Sequence, residues 1–117
     1  MNKPLDLTAV IDHLAANTWF ADADEILRYL NKNAEANCPD VLARLGNEVD
    51  GCHKPENRGK VRAMFDRWRS GSRHIEVSSH AKDGQVDYHI LIPAHAADGF
   101  KGVLELAFKV PEGPAPK

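Results

Sequence analysis

The sequence predicts an α+β domain: a helical N-terminal half of three short helices, a central amphipathic basic helix, and a three-stranded antiparallel sheet packed on the helices. Three observations predict it. In Pro55–Ser70, Val61, Met64, Phe65 and Trp68 recur at i, i+3, i+4 and i+7, one stripe of a 3.6-residue period. Directly after it, two alternating runs, His74–His80 and Gln85–Ile92, flank Asp83-Gly84, a dipeptide that favours a two-residue type I′ turn. Before it, apolar residues recur at helical spacing behind capping residues.

The chain of 117 residues has the length of one domain, and a domain that long buries roughly two-thirds of its unfolded surface, enough to fold without disulfides. One domain is expected over residues 1–110. A flexible Pro-rich tail is expected over 111–117, where PEGPAPK holds three prolines in seven residues.

Asp6 suits the N-cap of a first helix with Leu7, Val10, Ile11 and Leu14 facing inward, ending near Asn17. Trp19 and Phe20 then fill the connection as core plugs. Asp22 and Glu25 have capping-box spacing, and Asp24 adds an acid at the positive end of a second helix. Ala23, Ile26, Leu27, Leu30 and Ala34 form its buried face. Asn33–Asn37 reads as a break. Pro39 suits the first turn of a third helix carrying Val41, Leu42 and Leu45, with Gly46 as its C-terminal cap. Asn47–Asn57 is a polar loop between the helical half and the rest.

The Asp-Gly turn fixes the register of the hairpin. Val77 then opposes Ile90, Ile75 opposes Ile92 and Ser79 opposes Tyr88 on an apolar face. On the polar face Ser78 opposes His89, His80 opposes Asp87 and Glu76 opposes Leu91. Pro93 ends the second strand. Gly102–Val110 forms the third, with Leu104, Leu106, Phe108 and Val110 on one side and Glu105 and Lys109 on the other. The apolar face is expected under the Val61/Met64/Phe65/Trp68 stripe. The third strand is expected at a sheet edge, open to pairing with a second copy.

The net charge of −2 is unevenly distributed: residues 1–50 carry −5, residues 51–73 carry +5 and residues 74–117 carry −2. On the basic helix, Arg58, Arg62 and Arg69 edge one side of the apolar stripe, Lys60 and Arg67 edge the other, and Arg73 follows. The guanidinium fork suits carboxylate or phosphate equally. The helix start Asp22, Asp24 and Glu25 is an acidic surface for a basic partner. Alternatively, the basic helix docks beside the acidic half of the same chain. The N-terminus has no apolar secretory core and no run is long enough for a membrane span, so a cytoplasmic protein with Cys38 and Cys52 reduced is expected.

Motifs for chemistry are sparse. There is no phosphate loop, GxGxxG or HExxH, and no cofactor is implied. Ser78, His80, Asp87 and His89 bring hydroxyl, imidazole and carboxylate together, but a solvated hairpin face lacks the pocket and oxyanion hole of a nucleophile relay. His74, Glu76 and His80 with Arg69 and Arg73 are the ingredients of a small nuclease. Cys38, Cys52 and His53 do not have zinc spacing, so no metal is expected. The basic helix followed by a hairpin, over residues 55–92, resembles in element order the recognition helix and wing of winged-helix regulators, which implies nucleic-acid binding. The leading expectation is a non-enzymatic protein-binding regulator or inhibitor. Phage and mobile-element inhibitors and immunity proteins share its size class. Its contact residues are then Arg58, Arg62, Arg69, Lys60, Arg67 and Arg73, with Asp22, Asp24 and Glu25 as the second surface.

Overall fold

In the computed structural model, residues 6–49 and 55–113 are described. The expectations that involve Cys52, His53 and the end of the tail fall outside them. In chain order the elements are α1 (Leu7–Asp12), β1 (Asn17–Asp22), β2 (Leu27–Leu30), α2 (Lys32–Asn37), α3 (Pro39–Leu42), α4 (Pro55–Arg69), β3 (Glu76–Lys82), β4 (Gln85–Ala96) and β5 (Gly99–Pro111). The strands form one five-stranded sheet in the order β2-β1-β5-β4-β3, with each neighbouring pair antiparallel. This replaces the expected three-stranded sheet packed on a helical half.

The correction lies in residues 17–30. Trp19 and Phe20 are not plugs between helices; they belong to β1, a strand that bulky aromatics favour. The Asp22…Glu25 spacing is not a capping box. Asp22 Oδ1 accepts from the backbone N–H of Asp24 (2.9 Å) and Ile26 (3.0 Å), which closes a tight turn between β1 and β2. Glu25 takes a left-handed φ of 65° in that turn, which no helix interior allows. Burial alone would raise the Asp22 carboxyl, but the hydrogen bonds from Arg28, Ile26 and Asp24 outweigh it and hold it below the usual carboxylate range.

The expected break at Asn33–Asn37 is helix α2. Its N-cap is Asn31, whose Oδ1 accepts from Ala34 N–H at 3.0 Å. At the N-terminus, Asp6 caps α1 through Ala9 N–H as its position suggests, but the helix stops at Asp12. Its apolar residues Leu7 and Val10 are 62% and 46% exposed, so they are not an inward stripe. Pro39 opens α3, which ends at Leu42, and Gly46 has the positive φ of 86° expected beyond a helix end.

The second half follows the sequence more closely. Helix α4 buries Val61, Phe65 and Trp68, and Met64 packs against them. The β3–β4 register is the expected one, from Glu76 opposite Leu91 to Lys82 opposite Gln85. Asp83 and Gly84 both have positive φ, 54° and 77°, as a type I′ turn requires. The third expected strand exists as β5, but it pairs with β1 on one side and β4 on the other, so it is not an edge.

The face that meets α4 is the opposite of the expected one. Val103, Ala21, Trp19 and Leu91 pack against the α4 stripe. Val77 and Ile75, expected in the core, are 61% and 47% exposed. The sheet therefore has an inner side under α4 and an outer side partly covered by α1. β5 passes so close to β1 at Gly102, φ 145°, that a Cβ there would run into the Ala21 carbonyl and the Phe20 ring. Gly102→Ala is expected to lower stability by about 2 kcal/mol. A urea midpoint unchanged from wild type would show that the two strands can separate at no cost.

Candidate functional site

Two surfaces have the makings of a site, one on each side of the sheet. On the inner side, α4 roofs an apolar cavity of about 60 Å³ lined by Trp19, Ala21, Val61, Met64, Phe65, Leu91 and Val103, with Glu105 as its polar wall. Phe65, Trp68 and Phe100 fill the space beside it, with ring centroids 5.5–6.3 Å apart. A cavity that small holds no drug-sized ligand, which needs several hundred Å³.

Where α4 stops covering the sheet, a larger cleft of about 500 Å³ opens under α2. Asn17 and Trp19 of β1, Asn33 and Asn37 of α2, Cys38, and Asp87, His89 and Lys109 line it. Asn33 Nδ2 donates to Asn17 Oδ1 at 2.8 Å, tying α2 to the sheet. His89 lies between two carboxylates, Nδ1 at 3.7 Å from Glu105 Oε2 and Nε2 at 3.7 Å from Asp87 Oδ2. Glu105 is the chief cause of the raised His89 pKa, with Asp87 adding to it against partial burial. Burial, with Glu105 nearby, pushes the Cys38 thiol up, which keeps it protonated and unreactive. Among the described residues no group of three or more His, Cys, Asp or Glu side chains is placed to hold a metal.

On the outer side, β3, β4 and β5 present a continuous apolar field. Ile75, Val77 and Val110 are exposed, and Tyr88, Ile90, Ile92, Leu106 and Phe108 are half-buried. Tyr88 and Phe108 stack across the strands at 5.6 Å. Helix α1 crosses only the β1–β2 end. There, Thr8 and Ile11 face Phe20, Tyr29 and Leu104, and the Tyr29 hydroxyl donates to Asp12 at 3.1 Å. Burial first, then Asp12, pushes the Tyr29 phenol up to about 12. Exposed Leu7, Val10 and Leu14 add apolar surface on α1 itself. Isolated exposed apolar residues are ordinary; their grouping on three neighbouring strands makes this face a candidate contact surface.

The two charged surfaces expected from the sequence touch through Arg69 and Glu25. Arg69 of α4 binds Glu25 at 2.8 Å and Asp66 at 3.0 Å, and donates to the Ala23 carbonyl at 2.9 Å. The Glu25 hydrogen bond is the main cause of its raised pKa. Its guanidinium also lies 5.5 Å over the Phe65 ring. Asp22 pairs with Arg28 at 2.7 Å, and Asp24 is exposed beside it. Arg67 reaches Glu76 at 3.4 Å. Arg58, Lys60, Arg62 and Arg73 lie on the exposed surface. The polar hairpin residues Ser78, His80, Asp87 and His89 share one face, but it is the inner one. The hairpin continues the sheet into β5 and does not stand out as a wing.

The sequence reading assigned Ile75, Val77, Ile90 and Ile92 to the core and so missed the outer field. Two signals pointed to it: Leu91 sits in the middle of the supposedly polar row, and Phe108 and Val110 extend the apolar row beyond the reach of one helix.

Comparisons with known proteins agree with this architecture. A protein-family model described as a PAS domain matches residues 7–110. Among solved structures, the chain is similar to a C-terminal domain from Streptococcus mutans, with 24% identity and a TM-score of 0.72 over 92% of this chain and 90% of that one. It is also similar to a sensory box sensor histidine kinase from Vibrio cholerae (17%, 0.65, over 92% and 90%). The PAS domain of Bordetella pertussis BvgS aligns likewise (14%, 0.65, over 91% and 85%). At these identities the likeness shows the fold. No curated protein matches the chain.

Proposed function

Because this chain belongs to the PAS-domain family of signal-sensing modules, which often bind small ligands or mediate protein interaction, we propose that it is a regulatory module that works by protein contact through the outer face of its sheet. One observation carries this reading: the apolar field around Val77 and Ile75 stays open, whereas the cavity under α4 is about 60 Å³ and walled by aromatic side chains. The first partner to test is a second copy, since one apolar face becomes self-complementary across a two-fold axis. A second surface on the same reading is the cationic rim of α4, Arg58 and Arg62 on one flank of the apolar stripe and Lys60 and Arg67 on the other, which fits an acidic patch on a partner.

Val77→Asp puts a charge on the β3 edge of this field without touching the core, so stability is expected to change by about 0.5 kcal/mol or less. Light scattering across a concentration series is expected to show a wild-type dimer and a monomeric variant. A wild type that is monomeric throughout, and that captures from cell extract the same proteins as the variant, would overturn the outer-face reading.

A further inference from the structure

The inner cleft contains a group that the outer-face reading does not use. We propose that His89, held between Glu105 and Asp87, is a proton-binding site that makes the stability of the domain responsive to pH. The geometry carries the inference. Both ring nitrogens face carboxylate oxygens at the same 3.7 Å. A neutral imidazole has one N–H and one lone pair, so one of those carboxylates would face a lone pair. Only the imidazolium presents an N–H and a positive charge toward both.

The other groups around the ring set its balance. From β3, Ser78 stands opposite His89 and His80 opposite Asp87. From β5, Lys109 stands opposite Asp87, and Glu105 has the larger effect on the ring. Cys38, at the junction of α2 and α3, lines the cleft with its thiol protonated. Asn33 and Asn37 of α2 and Asn17 and Trp19 of β1 are neutral, and no α4 residue is among the described residues that line it. Glu105 also walls the apolar cavity under α4. Loss of the proton from His89 therefore leaves a carboxylate without its cation at an apolar wall, and the cleft and the cavity respond together.

The sign follows from the raised His89 pKa. The stability contributed by the pair is fully present below the ordinary histidine range and is lost as pH rises through the folded-state value. The test has two parts on the whole chain. Imidazole NMR across a pH series is expected to place the His89 titration above the ordinary histidine range, and Glu105→Gln is expected to move it to lower pH. Over the same range the wild-type Tm is expected to fall relative to that of His89→Gln. A His89 titration within the ordinary histidine range overturns the proposal, as does a Tm difference that does not vary with pH. The NMR arm uses the wild type and stands even where a variant fails to fold.

Discussion

Trp68→Ala is expected to lower the stability of the domain by about 4 kcal/mol. Trp68 is 1% exposed and is the largest fully buried side chain among the described residues. It stacks on Phe100 at 6.3 Å and meets the edge of Phe65 at 5.5 Å. Its indole N–H donates to the His74 carbonyl at 2.8 Å, anchoring the chain as it leaves α4 for β3. Its own carbonyl accepts from His95 Nε2 at 3.0 Å, which ties the end of α4 to β4. Truncation removes the stacking surface and leaves a void that rigid neighbouring strands cannot close. Trp68→Phe keeps an aromatic ring and loses the N–H, and is expected to cost about 1–2 kcal/mol. Guanidinium unfolding followed by far-UV circular dichroism measures both. A loss under about 2 kcal/mol for the alanine variant would mean that α4 is held to the sheet by other contacts.

The element that carries this prediction was legible in the sequence. The Val61/Met64/Phe65/Trp68 stripe sits in a 15-residue run, long enough for a helix to show its period, and an Asp-Gly turn between alternating runs has one register. Both signals are local. The first hairpin was illegible for the same reason: Ala23, Ile26, Leu27 and Leu30 also fall at helical spacing, and a four-residue strand is too short to display alternation. What decides it is Asp22, whose side chain satisfies the turn N–H groups of Asp24 and Ile26 and so serves a hairpin as well as it would a helix cap.

The inversion of the sheet faces has a different cause. Apolar and polar residues do sort by register along β3, β4 and β5, but sorting names two faces without saying which is inside. The helices cover only part of the inner side, the part that meets Leu91, Val103 and Trp19. The polar residues Asp87 and His89 then lie in the inner cleft, while the outer apolar row is covered only at its α1 end. The charge asymmetry was read correctly as a number and incompletely as a surface. Arg69, placed on a binding flank, spends its guanidinium on Glu25 and Asp66 of its own chain.

Asn31→Ala is expected to cost about 3–4 kcal/mol, a loss out of proportion to a small polar side chain. Asn31 is completely buried where β2 passes into α2. Its Oδ1 accepts from Thr18 N–H at 3.1 Å and from Ala34 N–H at 3.0 Å. Its Nδ2 faces the carbonyls of Ile11 (3.1 Å), Ala16 (3.0 Å) and Leu14 (3.4 Å). One amide thus caps α2, closes the β1 end and holds the segment that follows α1. Alanine takes this acceptor from the buried Thr18 and Ala34 N–H groups, each at about 1–3 kcal/mol before relaxation, while the Ile11 carbonyl keeps the Leu14 N–H and the Ala16 carbonyl keeps the Thr18 hydroxyl. Asn31→Asp separates the hydrogen-bond argument from the size argument. The new carboxyl has the amide's shape, but when ionised it turns an oxygen without a proton toward three carbonyls. That environment favours the protonated acid and raises its pKa in the folded state. Its stability relative to wild type is therefore retained at acid pH and lost as pH rises through the raised value. Paired urea melts of the two proteins at acid and neutral pH are expected to show the gap widening toward neutrality. A gap that stays constant would mean that the three carbonyls find other donors and that the amide acts there by shape alone.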